Sequence, residues 1–69
     1  LATLAIPPLE QSVQAEPGNP IYHFHLGLAY VKAREPEKAR VALEQALKLR
    51  PDFDGADQAK FELSRLAGN

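Results

Sequence analysis

The chain has 69 residues, with eight Lys or Arg residues, nine Asp or Glu residues, a net charge of −1 and no cysteine. This length allows one small domain with a modest core. The absence of cysteine excludes disulfides and thiolate metal sites, and the mixed, nearly balanced charges argue against a nucleic-acid-binding patch. No apolar run is long enough to span a membrane, so we expect no membrane insertion.

The first predicted helix spans residues 7–16. Pro7 and Pro8 suit the first turn of a helix, which has no use for the N–H groups that proline lacks. In the middle of a helix the same residues would break it. Residues 1–6 are therefore expected to be a lead-in or a frayed tail.

Two further helices are predicted over residues 20–33 and 36–49. Each would have proline, Pro20 or Pro36, at its first helical position, and Asn19 is a favourable N-cap for the earlier one. The connections between the predicted helices are short, which forces neighbouring helices to run antiparallel. The sequence therefore predicts an all-α fold of antiparallel helix pairs.

A fourth helix is predicted over residues 53–67, with Asp52 as its N-cap. Its apolar residues are three or four positions apart and form one stripe, so the helix has one face to bury and one to expose. We expect it to be a terminal cap, the element that closes a helical array and keeps it soluble. The stripe consists of Ala56, Ala59, Leu63 and Leu66.

Parts of the chain recur after 34 residues. Residues 9–11, with the sequence Leu-Glu-Gln, recur as residues 43–45, and Pro17 recurs as Pro51. A fixed period of this size is typical of stacked helical repeats, which function through their surfaces rather than through a catalytic centre. Small residues recur at the same offset, where Ala5 matches Ala39 and Ser12 matches Ala46.

The residues between the two copies resemble the first helix of a tetratricopeptide repeat. The family pattern has a bulky residue, Leu-Gly and Tyr in that helix, followed by Ala, an aromatic residue or Leu, Ala and a closing Pro. His23 stands where Trp is usual, and Leu43 is a common substitute for the aromatic residue. The resemblance implies a preceding half repeat in residues 1–19, a complete repeat in residues 20–53 and a C-terminal capping helix in residues 54–69. The matching residues, which would pack the repeat together, are His23, Leu26, Gly27, Tyr30, Ala39, Leu43, Ala46 and Pro51.

The resemblance also implies the α-solenoid fold and the protein-binding function of this family. In the family, a second face of the first helix lines a concave groove that receives extended peptides. Here that face is apolar, which suits an apolar or amphipathic partner segment better than a C-terminal carboxylate. Ordinary core packing is the alternative, because an apolar stripe at helical spacing is also typical of core residues. The predicted groove residues are Ile21, Phe24, Leu28, Val31 and Lys32.

Catalysis, metal binding and cofactor binding are not expected from this sequence. His23 and His25 are two residues apart and would face opposite sides of a helix, whereas helical metal ligands are spaced by three or four. Ser12 and Ser64 have no adjacent histidine to activate them. The glycines are scattered rather than grouped into a phosphate-binding loop.

The sequence therefore predicts an interaction or assembly scaffold that binds a protein or peptide and neither nucleic acid nor a cofactor. Homo-oligomerisation through the apolar groove or the N-terminal edge is one alternative, and an accessory segment of a larger enzyme is another. Residues 22–30 are similar to repeats of bacterial proteins of envelope assembly and polymer export. We expect the chain to be the C-terminal end of such an array.

Overall fold

The computed structural model describes residues 2–68, which form four α-helices joined by short turns. The helices are α1 (Ala2–Ala15), α2 (Pro20–Lys32), α3 (Pro36–Leu49) and α4 (Ala56–Ala67). Each helix packs against the next one in the chain. The predicted all-α fold of helical hairpins is thereby confirmed. Residue 1 of the predicted lead-in and residue 69 of the predicted cap lie outside the described residues.

Helices α2 and α3 form the central hairpin, and they begin at Pro20 and Pro36, as predicted. The side chain of Asn19 accepts a hydrogen bond from the backbone N–H of Ile21 at 2.9 Å, which caps α2. Arg34, in the turn between the helices, has a φ of 62°, in the left-handed region. The N–H of Glu35 then donates to the carbonyl oxygen of Tyr30 at 2.9 Å and closes the end of α2. Glu35 precedes α3 and makes no side-chain capping bond.

Helix α1 begins at Ala2, and the predicted start at Pro7 is wrong. Pro7 and Pro8 lie inside the helix, where they remove the hydrogen bonds that other residues would donate to the preceding turn. The helix continues through them because one of its faces packs against buried residues of α2 and α3, and such packing outweighs local propensity. The apolar residues on that face are Ile6, Leu9 and Val13.

Helix α4 begins at Ala56 rather than at the predicted Phe53, and Asp52 does not cap it. The residue before the helix is Gly55, whose φ of 117° is a conformation that other residues rarely adopt. The predicted start is wrong because Phe53 is drawn into the core. Its ring packs edge-on against Phe24, with the two ring centroids 5.3 Å apart.

Two clusters of buried residues hold the helices together. The α4-side cluster lies between α2, α3 and α4, and the α1-side cluster joins α2 and α3 on the side where α1 packs. Helices α2 and α3 contribute to both clusters and so form the centre of the molecule. The α4-side cluster consists of Phe24, Leu43, Ala46, Phe53, Ala56 and Ala59, and the α1-side cluster of Leu26, Tyr30, Ala39 and Ala42.

Candidate interaction surfaces

The face of α2 that meets α3 carries the residues expected to pack the repeat. Gly27 lies directly against Leu43, because a Cβ added to Gly27 would be 2.7 Å from the Cγ and Cδ2 atoms of Leu43. Ala39, Leu43 and Ala46 on α3 have no exposed surface. Small residues therefore allow the two helices to approach closely at this point. His23, Leu26 and Tyr30 are buried as well, whereas Pro51 is exposed in the turn after α3.

The two histidines of α2 have different surroundings. His23 is buried, and its Nε2 donates a hydrogen bond to the carbonyl oxygen of Pro17 at 2.8 Å, which ties the preceding turn to the helix. His25 is exposed. Within residues 2–68, no three or more His, Cys, Asp or Glu side chains are grouped so that they could hold a metal ion.

The predicted groove is wrong at Phe24, which is only 6 % exposed and belongs to the α4-side cluster. Helix α4 and Phe53 cover it, so this part of the stripe is core. Three other predicted groove residues are half-buried against the same cluster, whereas Lys32 is exposed. The half-buried residues are Ile21, Leu28 and Val31.

A narrower surface remains accessible on α2, and we call it the α2 strip. It consists of Ile21, His25, Leu28 and Lys32, which are spaced by four, three and four residues and so follow one line along the helix. The two apolar members are half-buried, and the two polar members are exposed. The strip therefore combines partly accessible aliphatic groups with a basic side chain.

The structure also contains a groove that the sequence analysis did not identify. This α1–α3 groove lies between α1 and α3, is lined by α2 as well, and has a volume of about 530 Å³. The repeated Leu-Glu-Gln motif was a signal for it, because Glu10 comes from the first copy and Gln45 from the second. A repeat period alone does not reveal that both copies face the same groove. Its lining also includes Leu26, Tyr30, Val41 and Ala42.

Tyr30 and Glu10 join two of the helices that line the groove. The Tyr30 hydroxyl donates a hydrogen bond to Oε2 of Glu10 at 2.5 Å. Burial raises the pKa of Tyr30 to about 12, and the hydrogen bond to Glu10 and the negative charges of Glu10 and Glu35 add to the rise. The phenol therefore keeps its proton at neutral pH and holds the Glu10 carboxylate in place beside the groove.

Packed helical hairpins with accessible helix faces define a protein of the α-helical repeat class. A protein-family model described as "Tetratricopeptide repeat" matches residues 20–53, which contain α2, α3 and the turn that follows them. Residues 20–53 therefore form a tetratricopeptide repeat. No curated protein and no solved structure matches the chain.

Repeats of this family in general mediate protein–protein interaction and assembly, and they are typically non-catalytic. Tetratricopeptide repeat domains bind protein partners. None of the helices in residues 2–68 combines the length and the apolarity needed to cross a membrane.

Proposed function

We propose that the chain is an interaction and assembly module that presents a helical surface to a protein partner and performs no chemistry of its own. The observation that carries this proposal is the α2 strip. Ile21 and Leu28 on this strip are half-buried, and His25 and Lys32 beside them are exposed. Neighbouring helices therefore leave part of an apolar helix face accessible, in a repeat whose family binds proteins.

The chemistry of the strip indicates what kind of segment would bind there. The apolar side chains pack against the α4-side cluster, which contains Phe24, so the surface is held by the core rather than formed on binding. Ile21 and Leu28 suit aliphatic or aromatic side chains of a partner, and Lys32 suits a carboxylate. An amphipathic partner segment that carries an acidic residue fits this combination.

Site-directed photo-cross-linking tests this proposal. A photoreactive amino acid replaces His25, and the chain is irradiated in an extract of the source cells. The matched control carries the same amino acid at Gln14, an exposed position on α1. We expect a covalent adduct with a defined protein at position 25, and we expect excess unlabelled wild-type chain to abolish it. Equal adduct yields at the two positions, or no adduct at position 25, would contradict the proposal.

Self-association is a second candidate function, and one observation favours it. Ala5 on α1 is exposed, whereas Ala39, its counterpart after the repeat offset, has no exposed surface because α2 covers it. Leu4 beside it is 74 % exposed. This face of α1 therefore resembles a helix surface whose packing partner is missing, and a second copy of the chain could supply that partner.

Sedimentation velocity over a series of concentrations distinguishes the two functions. Self-association predicts a concentration-dependent rise in the sedimentation coefficient, and Leu4→Glu should abolish it. Phe61→Glu is the matched control, because Phe61 is also a largely exposed apolar residue, on α4. A wild-type chain that sediments as a monomer at every concentration would exclude self-association. It would remain compatible with binding of a protein partner at the α2 strip.

A further inference from the structure

We propose that the α1–α3 groove is a second protein-binding site, and that it takes a partner segment with a lysine or arginine next to an aliphatic side chain. Two of the α2 residues that line the groove, Leu26 and Tyr30, belong to the α1-side cluster. Phe24 and Leu28, by contrast, face the α4-side cluster. The groove is thus separate from the α2 strip. Binding at one of the two sites can therefore be absent while binding at the other is present.

The apolar part of the groove is the reason for expecting an aliphatic side chain in the partner segment. Leu26 and Ala42 line it and are buried in the α1-side cluster, so they provide a rigid apolar wall. Val41 lines it too but is 62 % exposed, although valine is an apolar residue. An aliphatic side chain placed here would cover Val41 and remove its surface from water, which favours binding.

The charges of the groove are the reason for expecting a basic residue in the partner segment. Two of its charged residues are already paired within α3 or its cap, because Glu37 forms an ion pair with Arg40 and Lys38 one with Glu35 at 3.4 Å. Glu10 has no cationic partner among the described residues. The groove therefore carries one uncompensated negative charge, and a lysine or arginine of a partner would neutralise it.

Glu10 is also fixed in a position from which it can bind. Its Oε2 accepts the hydrogen bond from the buried Tyr30 hydroxyl, so the carboxylate is oriented before any partner arrives. Little side-chain entropy is then lost on binding, and the benefit of a charge-assisted hydrogen bond is correspondingly larger. Oε1 accepts no hydrogen bond from the described residues and is the atom that a basic side chain would contact.

A selection from random-sequence peptides displayed on phage, with the immobilised 69-residue chain as bait, tests this proposal. We expect the enriched peptides to share a Lys or Arg adjacent to Leu, Ile or Val. The affinity of a synthetic peptide with that consensus is then measured by fluorescence anisotropy. Val41→Lys should weaken it by at least about tenfold, because it adds like charge and removes the apolar contact. Glu10→Gln should weaken it as well and reduce its dependence on salt concentration.

Two control variants keep the test specific to the groove. Leu49→Lys makes the same type of change at another partly exposed apolar position of α3, and Lys32→Glu alters the α2 strip. Neither should change the affinity, and circular dichroism should show that all variants remain helical. Failure to enrich any peptide, a consensus without a basic residue, or an equal loss with Leu49→Lys or Lys32→Glu would overturn the proposal.

Discussion

Gly55 and Phe24 are in direct contact, because a Cβ added to Gly55 would be 2.8 Å from Cε2 of the Phe24 ring. Gly55 also has a φ of 117°, so its backbone conformation and its surroundings both require glycine. The turn at Gly55 sets the position at which α4 begins. This turn thereby determines that Phe24 is a core residue, whereas the α2 strip remains partly accessible on the same helix.

Gly55→Ala should destabilise the fold. The left-handed backbone and the contact with the Phe24 ring together should lower the free energy of unfolding by roughly 1–3 kcal/mol. Chemical denaturation followed by circular dichroism measures this change. Gly18→Ala is the matched control, since a Cβ at Gly18 would meet no atom within 4 Å. Equal midpoints for the two variants would show that the turn does not have the described conformation.

Arg34→Gly should stabilise the fold. A left-handed conformation costs a residue with a Cβ about 1–2 kcal/mol, and glycine avoids this cost at an entropic penalty of roughly 0.5–1 kcal/mol. The net gain should be a few tenths to about 1 kcal/mol in the same denaturation experiment. Arg34→Ala, which keeps the Cβ, should give no comparable gain. A lower midpoint for the glycine variant would contradict the left-handed turn.

Gly27→Ala should destabilise the central hairpin, although alanine favours helix. The gain in helix propensity is about 1 kcal/mol, whereas overpacking a tight core contact costs roughly 1–3 kcal/mol. Leu43 cannot move aside easily because it has no exposed surface. A double-mutant cycle with Leu43→Ala measures the coupling, and the cost of Gly27→Ala should fall when Leu43 is truncated. An unchanged cost would show that the two residues are not in contact.

The stability of the fold should decrease between about pH 10 and pH 12 through Tyr30. Its pKa is about 12 in the folded chain and about 10 when unfolded, so the folded chain retains a proton that the unfolded chain loses. The resulting stabilisation is complete below pH 10 and disappears as the pH rises through 12. Denaturation of wild type and Tyr30→Phe across this range tests it. The difference in the free energy of unfolding between wild type and Tyr30→Phe should shrink with rising pH. A constant difference would contradict the prediction.

The sequence was sufficient to predict the fold class and the start of the central hairpin. Pro20 and Pro36 are start signals that depend only on local chemistry, and both helices begin there. Pro7 gave the wrong start for α1, because packing of Ile6 against the neighbouring helices outweighs the local preference. Such packing depends on residues that are distant in the sequence, so a local signal could not indicate it.

The candidate surfaces were harder to predict for a related reason. An apolar stripe at helical spacing is compatible with a groove or with core, and the position of α4 decides between them at Phe24. That position depends on the conformation of Gly55 and the burial of Phe53, for which Asp52 gave a misleading cap signal. The α1–α3 groove depends on which side chains meet across two helices, and the hydrogen bond between Glu10 and Tyr30 spans 20 residues.

Binding at the α2 strip can be measured as the affinity of the partner captured at position 25 for the wild-type chain and for the double variant His25→Glu/Lys32→Glu. Both positions are exposed, so the variant should remain folded. Gln14→Glu/Lys48→Glu makes the same change in net charge away from the α2 strip and is the matched control. We expect the first double variant to bind at least about tenfold more weakly and the control to bind like wild type. Equal affinities for all three chains would contradict binding at the α2 strip.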